Sequence, residues 1–106
     1  MIENYIKEAD RVTYLMPKEV DHHCAGQIIA ELDALIEGCG VRKIVFDMKQ
    51  TEFMDSSGIA VALHTLQQVR RLGGKMWIAN PSQQAKKVFF AAGIQRMIKM
   101  EDAYEK

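Results

Sequence analysis

What most constrains the fold of this chain is an alternation between two hydrophobic periods. From about Cys24 to Glu37 the apolar residues Ala25, Ile28, Ile29, Leu32, Leu35 and Ile36 stand three and four apart, one face of a 3.6-residue helix. Asp21 is a suitable N-cap for that helix, and Gly38 and Gly40 are suitable terminators. Lys43 to Met48 then reads as a mostly buried strand. The helical period returns from Ser57 to Leu72, with Ile59, Leu63, Leu66 and Val69 on one face and Gly73-Gly74 at the end. Lys75 to Ala79 reads as another strand, with Trp77 expected in the core. Asn80-Pro81-Ser82 leads into a third helix carrying Ala85, Val88, Phe89 and Ala92, ended by Gly93. Upstream, Asn4 to Lys7 and Val12 to Met16 are expected as opening strands, the second closed by Pro17. Thr51 to Ser57 is expected to be a loop, Met97 to Met100 a short last strand, and Asp102 to Lys106 a frayed or helical tail.

The order β-β-α-β-α-β-α-β with short connections predicts an α/β fold. The expectation is one domain over residues 1–106, a mixed sheet of four to five strands with three to four helices packed mainly on one face. Hydrophobic residues make up 48% and charged residues 26% of the chain, which excludes intrinsic disorder as a description of the whole. Fourteen Lys and Arg balance fourteen Asp and Glu, so no global field draws the chain to nucleic acid or to an anionic membrane. The longest apolar runs fall far short of the ~20 residues that span a bilayer. The first ten residues lack a basic segment followed by an apolar one, so no signal peptide is expected. Two cysteines, Cys24 and Cys39, are too few for a disulfide scaffold and suit a cytoplasmic protein.

The most informative segment is Phe53-Met54-Asp55-Ser56-Ser57-Gly58, just beyond a predicted strand and opening a helix. In open α/β sheets that edge is where ligands and partners bind. The unpaired N–H groups and positive dipole end of the helix accommodate an anion such as a phosphoryl group. The same four residues also make an ordinary N-cap before an apolar helix, and composition alone does not separate the two readings.

Phe53 to Gly58 resembles the phosphorylation-site segment of the bacterial anti-sigma factor antagonists, which are built on a STAS domain. Glu19-Val20-Asp21-His22-His23 is similar to that family's segment before its first helix, although Lys18 stands where the family usually has Gly. Ile44 to Asp47, Gly73-Gly74-Lys75, Asn80-Pro81-Ser82 and Ala92-Gly93-Ile94 fall where the family has its central strand, its turns and its segment after the third helix. The resemblance implies a STAS fold, no enzymatic activity and no cofactor. It also implies phosphorylation of Ser56 by an anti-sigma factor serine kinase. The unphosphorylated chain would bind that kinase and free a sigma factor, and a PP2C-type phosphatase would reset it. Glu19, Asp21, His22, His23, Asp55, Ser56, Ser57 and Gly58 are then the expected partner-binding residues. The alternative is a STAS module in a partner-switching pathway without a sigma factor.

Other chemistries fit the residues poorly. Asp21-His22-His23-Cys24 spells the motif of membrane acyltransferases, but the chain has neither the spans nor the Cys-rich metal region those enzymes need. Adjacent His22 and His23 with Cys24 are badly spaced for one metal ion, and no metal is expected. A hydrolase triad from Ser56, His64 and Asp47 lacks the Gly-x-Ser-x-Gly elbow, and His64 lies eight residues along the same helix from Ser56. No Gly-rich phosphate loop is present.

Overall fold

The structure is a computed structural model and describes residues 4–102. The chain opens with β1 (Tyr5–Glu8) and β2 (Arg11–Leu15), an antiparallel pair, followed by the short β3 (Glu19–Val20) and helix α1 (His22–Gly38). Then come β4 (Lys43–Asp47), the short β5 (Phe53–Met54), helix α2 (Ser56–Arg71) and β6 (Lys75–Ala79). Helix α3 (Gln83–Ala91), a 3-10 turn over Ile94–Arg96 and β7 (Lys99–Glu101) complete the described elements.

Five strands form one mixed sheet in the order β1-β2-β4-β6-β7, parallel throughout except for the β1–β2 pair. From β2 the order steps in one direction only, and crossovers of a single hand then place their helices on one face. The core follows that rule. Val12, Ile44, Phe46, Met76 and Ile78 from the sheet share one buried cluster with Leu32 and Leu35 of α1, Val61 and Leu66 of α2 and Phe89 of α3. The expected α/β fold, with its mixed sheet and helices on one face, is the fold observed.

Three local expectations need correction. Thr51 to Ser57 is not all loop, because Phe53–Met54 pairs in parallel with Glu19–Val20 as a separate two-stranded sheet. Two-residue strands carry no period to read, and this pairing depends on residues some thirty positions apart. The last strand starts at Lys99, since the chain from Ile94 first makes a 3-10 turn closed by the Met97 N–H on the Ile94 carbonyl. Trp77 is half-buried and lies outside the core cluster: Met76 and Ile78 point to the helices, so the alternation of the strand turns Trp77 to the other face. Residues 103–106 of the expected tail lie outside the described residues, and Asp102 has no regular structure.

Candidate functional site

The site is built where the two short strands end. Asp55 follows β5 with an extended backbone and caps α2, its Oδ1 accepting the Ser57 N–H at 2.8 Å. Asp21 follows β3 and caps α1 in the same way, accepting the His23 N–H at 3.0 Å. The β3–β5 pairing puts the two helix starts side by side, with the Asp55 N–H bonded to the Val20 carbonyl at 3.1 Å. The start of α1 with Glu19, Asp21, His22 and His23 is thereby brought beside Asp55, Ser56 and Ser57 at the start of α2.

Asp55, and not Ser56, does the capping. Ser56 is the first helical residue, exposed, and its hydroxyl has no hydrogen-bond partner among the described residues. Ser57 is half-buried. Gly58 is buried, and a Cβ there would collide with the Met54 side chain, so Gly58 supports the site from beneath. His22 and His23 are exposed at the start of α1 with ring centroids 4.0 Å apart, and His23 Nδ1 is 3.8 Å from Asp21 Oδ2. Burial opposes the charge on Asp21, but the His23 N–H bonded to its carboxylate and the two nearby imidazoles outweigh it, and the carboxyl is held below its ordinary 3.8.

Lys18 does not need the left-handed conformation that Gly would permit: among the described non-glycine residues only Ala9 and Asn80 have positive φ. Its carbonyl accepts the Glu52 and Phe53 N–H groups at 2.8 and 3.2 Å, and its ammonium lies 3.9 Å from Glu52. The turn is held by backbone pairing, which is open to any side chain.

Two residues of the site were not singled out by sequence reasoning. Gln84 of α3 clamps β5 from behind: its Oε1 accepts the Met54 N–H and its Nε2 donates to the Met54 carbonyl, both at 2.9 Å. An amide on a helix has no sequence mark that tells which backbone it will pair with. Phe53 stands 45% exposed three residues before Ser56 and puts a large apolar side chain at the rim of the site. A large aromatic side chain two positions before the Asp cap was the available signal.

The residues of the imagined triad are not together. His64 Nε2 faces Asp33 of α1 at 2.9 and 3.1 Å from the two carboxylate oxygens, while Asp47 accepts from the Lys49 backbone N–H and from Asn80. Among the described residues no helix is long and apolar enough to cross a membrane, and no three His, Cys, Asp or Glu side chains converge as a metal site would need.

A one-faced α/β sheet with a paired-strand platform carrying a capped Asp-Ser-Ser-Gly helix start defines a class. The chain belongs to the STAS domain family, whose family model matches residues 4–106. Its branch is that of the anti-sigma factor antagonists. An anti-sigma F factor antagonist of Lysinibacillus sphaericus is 34% identical over 76 residues, which is 72% of this chain and 65% of that protein, a little under two thirds of its length. The solved structure of the anti-sigma factor antagonist SpoIIAA in its unphosphorylated form has a TM-score of 0.77 at 30% identity, covering 92% of this chain and 84% of that one. The Bacillus cell fate determinant SpoIIAA in its phosphorylated form has a TM-score of 0.74 at 27% identity, covering 90% and 86%.

Proposed function

We propose that this protein is a phosphorylation-switched antagonist of an anti-sigma factor. Unphosphorylated, it binds an anti-sigma factor serine kinase, which releases a sigma factor. The kinase transfers the γ-phosphoryl group of ATP to Ser56 Oγ, leaving ADP and the hydroxyl proton, and the complex comes apart. A PP2C-type phosphatase hydrolyses the phosphate and restores binding. The unit that does this is the one STAS domain over residues 1–106, acting in the cytoplasm where sigma factors work.

One observation carries the reading. Ser56 is exposed at a helix start whose cap is supplied by its neighbour, so its hydroxyl is free for modification without loss of a structural bond. Phosphorylation adds about −1.5 to −2 charges. The N-terminal dipole of α2 tolerates that charge, while Asp55 beside it compounds the repulsion that an approaching partner meets. The switch is then one of surface electrostatics, with the fold unchanged. The likeness of this chain to SpoIIAA both with and without phosphate supports that view. Glu19, Asp21, His22 and His23 extend the binding surface from α1, Ser57 and the exposed Phe53 continue it around Ser56, and Gly58 holds it from below.

The test is capture from the native lysate with tagged wild-type and Ser56→Asp chains, followed by ATP addition and phosphopeptide mapping. An anti-sigma factor kinase retained by wild type only, which then phosphorylates Ser56 and fails on Ser56→Ala, is the expected result. Equal retention by both baits, or phosphate on Ser57 alone, overturns the assignment. The second reading is a STAS module in a partner-switching pathway without a sigma factor, and the exposed Lys18, where the family usually has Gly, alters the surface a partner would meet. The identity of the captured protein decides between the two.

A further inference from the structure

A cavity of about 280 Å³ opens between the first half of α1 and the end of β2, and Ser56 is not part of its lining. Cys24, Gln27, Ile28 and Glu31 stand three and four apart and form one stripe of α1 along it. The buried Ile28 and the half-buried Leu15 and Pro17 give it apolar walls. The amides of Asn4, Gln27 and Gln50 stand around the Glu31 carboxylate as its main polar groups. Gln50 is fixed in place, its Nε2 donating to the Met16 carbonyl at 2.9 Å, which leaves its Oε1 as an acceptor.

Glu31 is the group that needs an explanation. It is half-buried, and the hydroxyl of Tyr14, a residue only 1% exposed, donates to its Oε1 from inside the fold. Its Oε2 accepts no hydrogen bond, and Glu31 makes no ion pair, among the described residues. The cation at the rim, Lys18, is exposed and lies 3.9 Å from Glu52 instead. A carboxylate drawn partly out of water loses hydration that one hydrogen bond does not replace, and an incoming cation does. We propose that this cavity is a binding site for one guanidinium group, held by Glu31 Oε2 with the amide oxygens of Asn4, Gln27 and Gln50 around it.

The lining selects the ligand. A guanidinium is flat, weakly hydrated and brings five N–H donors, which suits one carboxylate oxygen, several amide oxygens and apolar walls. An ammonium, compact and strongly hydrated with three donors, fits the same walls less well. The volume is below the ~300–1,000 Å³ of sites for drug-sized ligands and suits a single chain end. Two sources carry that group: a free small guanidine, or an arginine side chain of a protein seated on the neighbouring Glu19–His23 surface. The cavity adjoins that surface through Cys24, whose Sγ donates to the Glu19 carbonyl at 3.4 Å. The protein source rests on the function proposed above, and the site itself does not.

Titration of the full chain with ethylguanidinium, followed through backbone and side-chain amide NMR signals, tests the site. Saturable shifts around Tyr14–Lys18 and Cys24–Glu31 and at the Gln27 and Gln50 amides are expected, with a dissociation constant on the order of 1 mM for so small a ligand. Ethylammonium is expected to bind severalfold more weakly, and neutral ethylurea more weakly still. Glu31→Gln keeps an oxygen for the Tyr14 hydroxyl but removes the charge, and is expected to weaken ethylguanidinium roughly tenfold or more. Gln27→Lys supplies an internal ammonium from an exposed position one turn away; it is expected to weaken binding too, and serves where Glu31→Gln fails to fold. Absence of saturable shifts up to about 20 mM, or equal binding by wild type and the folded variants, overturns the proposal. So does ethylammonium or ethylurea binding as tightly as ethylguanidinium. Wild-type and Glu31→Gln baits in the lysate capture then tell the sources apart. A kinase lost from Glu31→Gln assigns the guanidinium to a protein's arginine, and a kinase retained by both assigns it to a free small molecule. Capture of no kinase by either chain defeats the phosphorylation switch and leaves the titration result standing.

Discussion

At Ser56 two neighbouring residues divide tasks that one residue performs in most helices. The carboxylate of Asp55 satisfies the Ser57 N–H, which leaves the Ser56 hydroxyl without structural duty. Asp55→Ala is therefore expected to cost about 1 kcal/mol, the worth of an N-cap, and to lower the thermal midpoint. Ser56→Asp adds a negative charge at the favourable end of the dipole and leaves that midpoint unchanged or slightly raised. A scan of both variants that found Ser56→Asp the more damaging would show that the hydroxyl is structural. Tyr14 is a second residue with a definite charge preference. Burial, then the hydrogen bond to Glu31 and the charge of that carboxylate, push the phenol well above its ordinary 10.0. The native chain thus keeps a proton that the unfolded chain loses. The stabilisation is complete below about pH 10 and is lost as pH rises from there through the raised native value. Denaturant titrations above pH 10 should show a slope for wild type that is shallower in Tyr14→Phe.

At the scale of elements, the platform under the site is a strand pair of two residues each, too short to stand alone. It persists because it is tied on both sides. Thr51 Oγ1 donates to the Pro17 carbonyl at 2.8 Å, and Gln84 of α3 matches both backbone groups of Met54. Gln84→Leu leaves a buried N–H and carbonyl unpaired, at about 1–3 kcal/mol for each group. Amide exchange at Met54 and Asp55 is expected to accelerate sharply, with the exchange of β4 and β6 changing less. Uniform acceleration through the whole sheet would mean that β5 opens only with the core.

At the scale of the whole molecule, the switch and the core are separated by layers. Ser56 stands outside the buried cluster, so the charge it gains meets solvent and partner and not the packed interior. Amide spectra of the protein phosphorylated at Ser56 are expected to show shifts confined to the residues around Lys18–His23 and Phe53–Ile59. Changes in the sheet core around Ile44, Phe46 and Ile78 would instead indicate a rearranged fold and defeat the electrostatic account.

Much of this was legible in the chain itself. Helices α1, α2 and α3, strands β4 and β6 and the Asp21 cap are local matters: spacing of apolar residues, cap chemistry and glycine ends act within one or two turns. They are encoded where they occur. The elements that escaped notice depend on distant partners. β3 and β5 exist only as each other's neighbour, Gln84 acquires its role from a backbone thirty residues away, and the face that Trp77 occupies follows from the register between strands. Sequence decided which segments bury an apolar side, because burial of a periodic face needs only the segment. Tertiary structure alone decided which polar groups find each other and which face of the sheet stays open, because hydrogen bonds and register are properties of pairs.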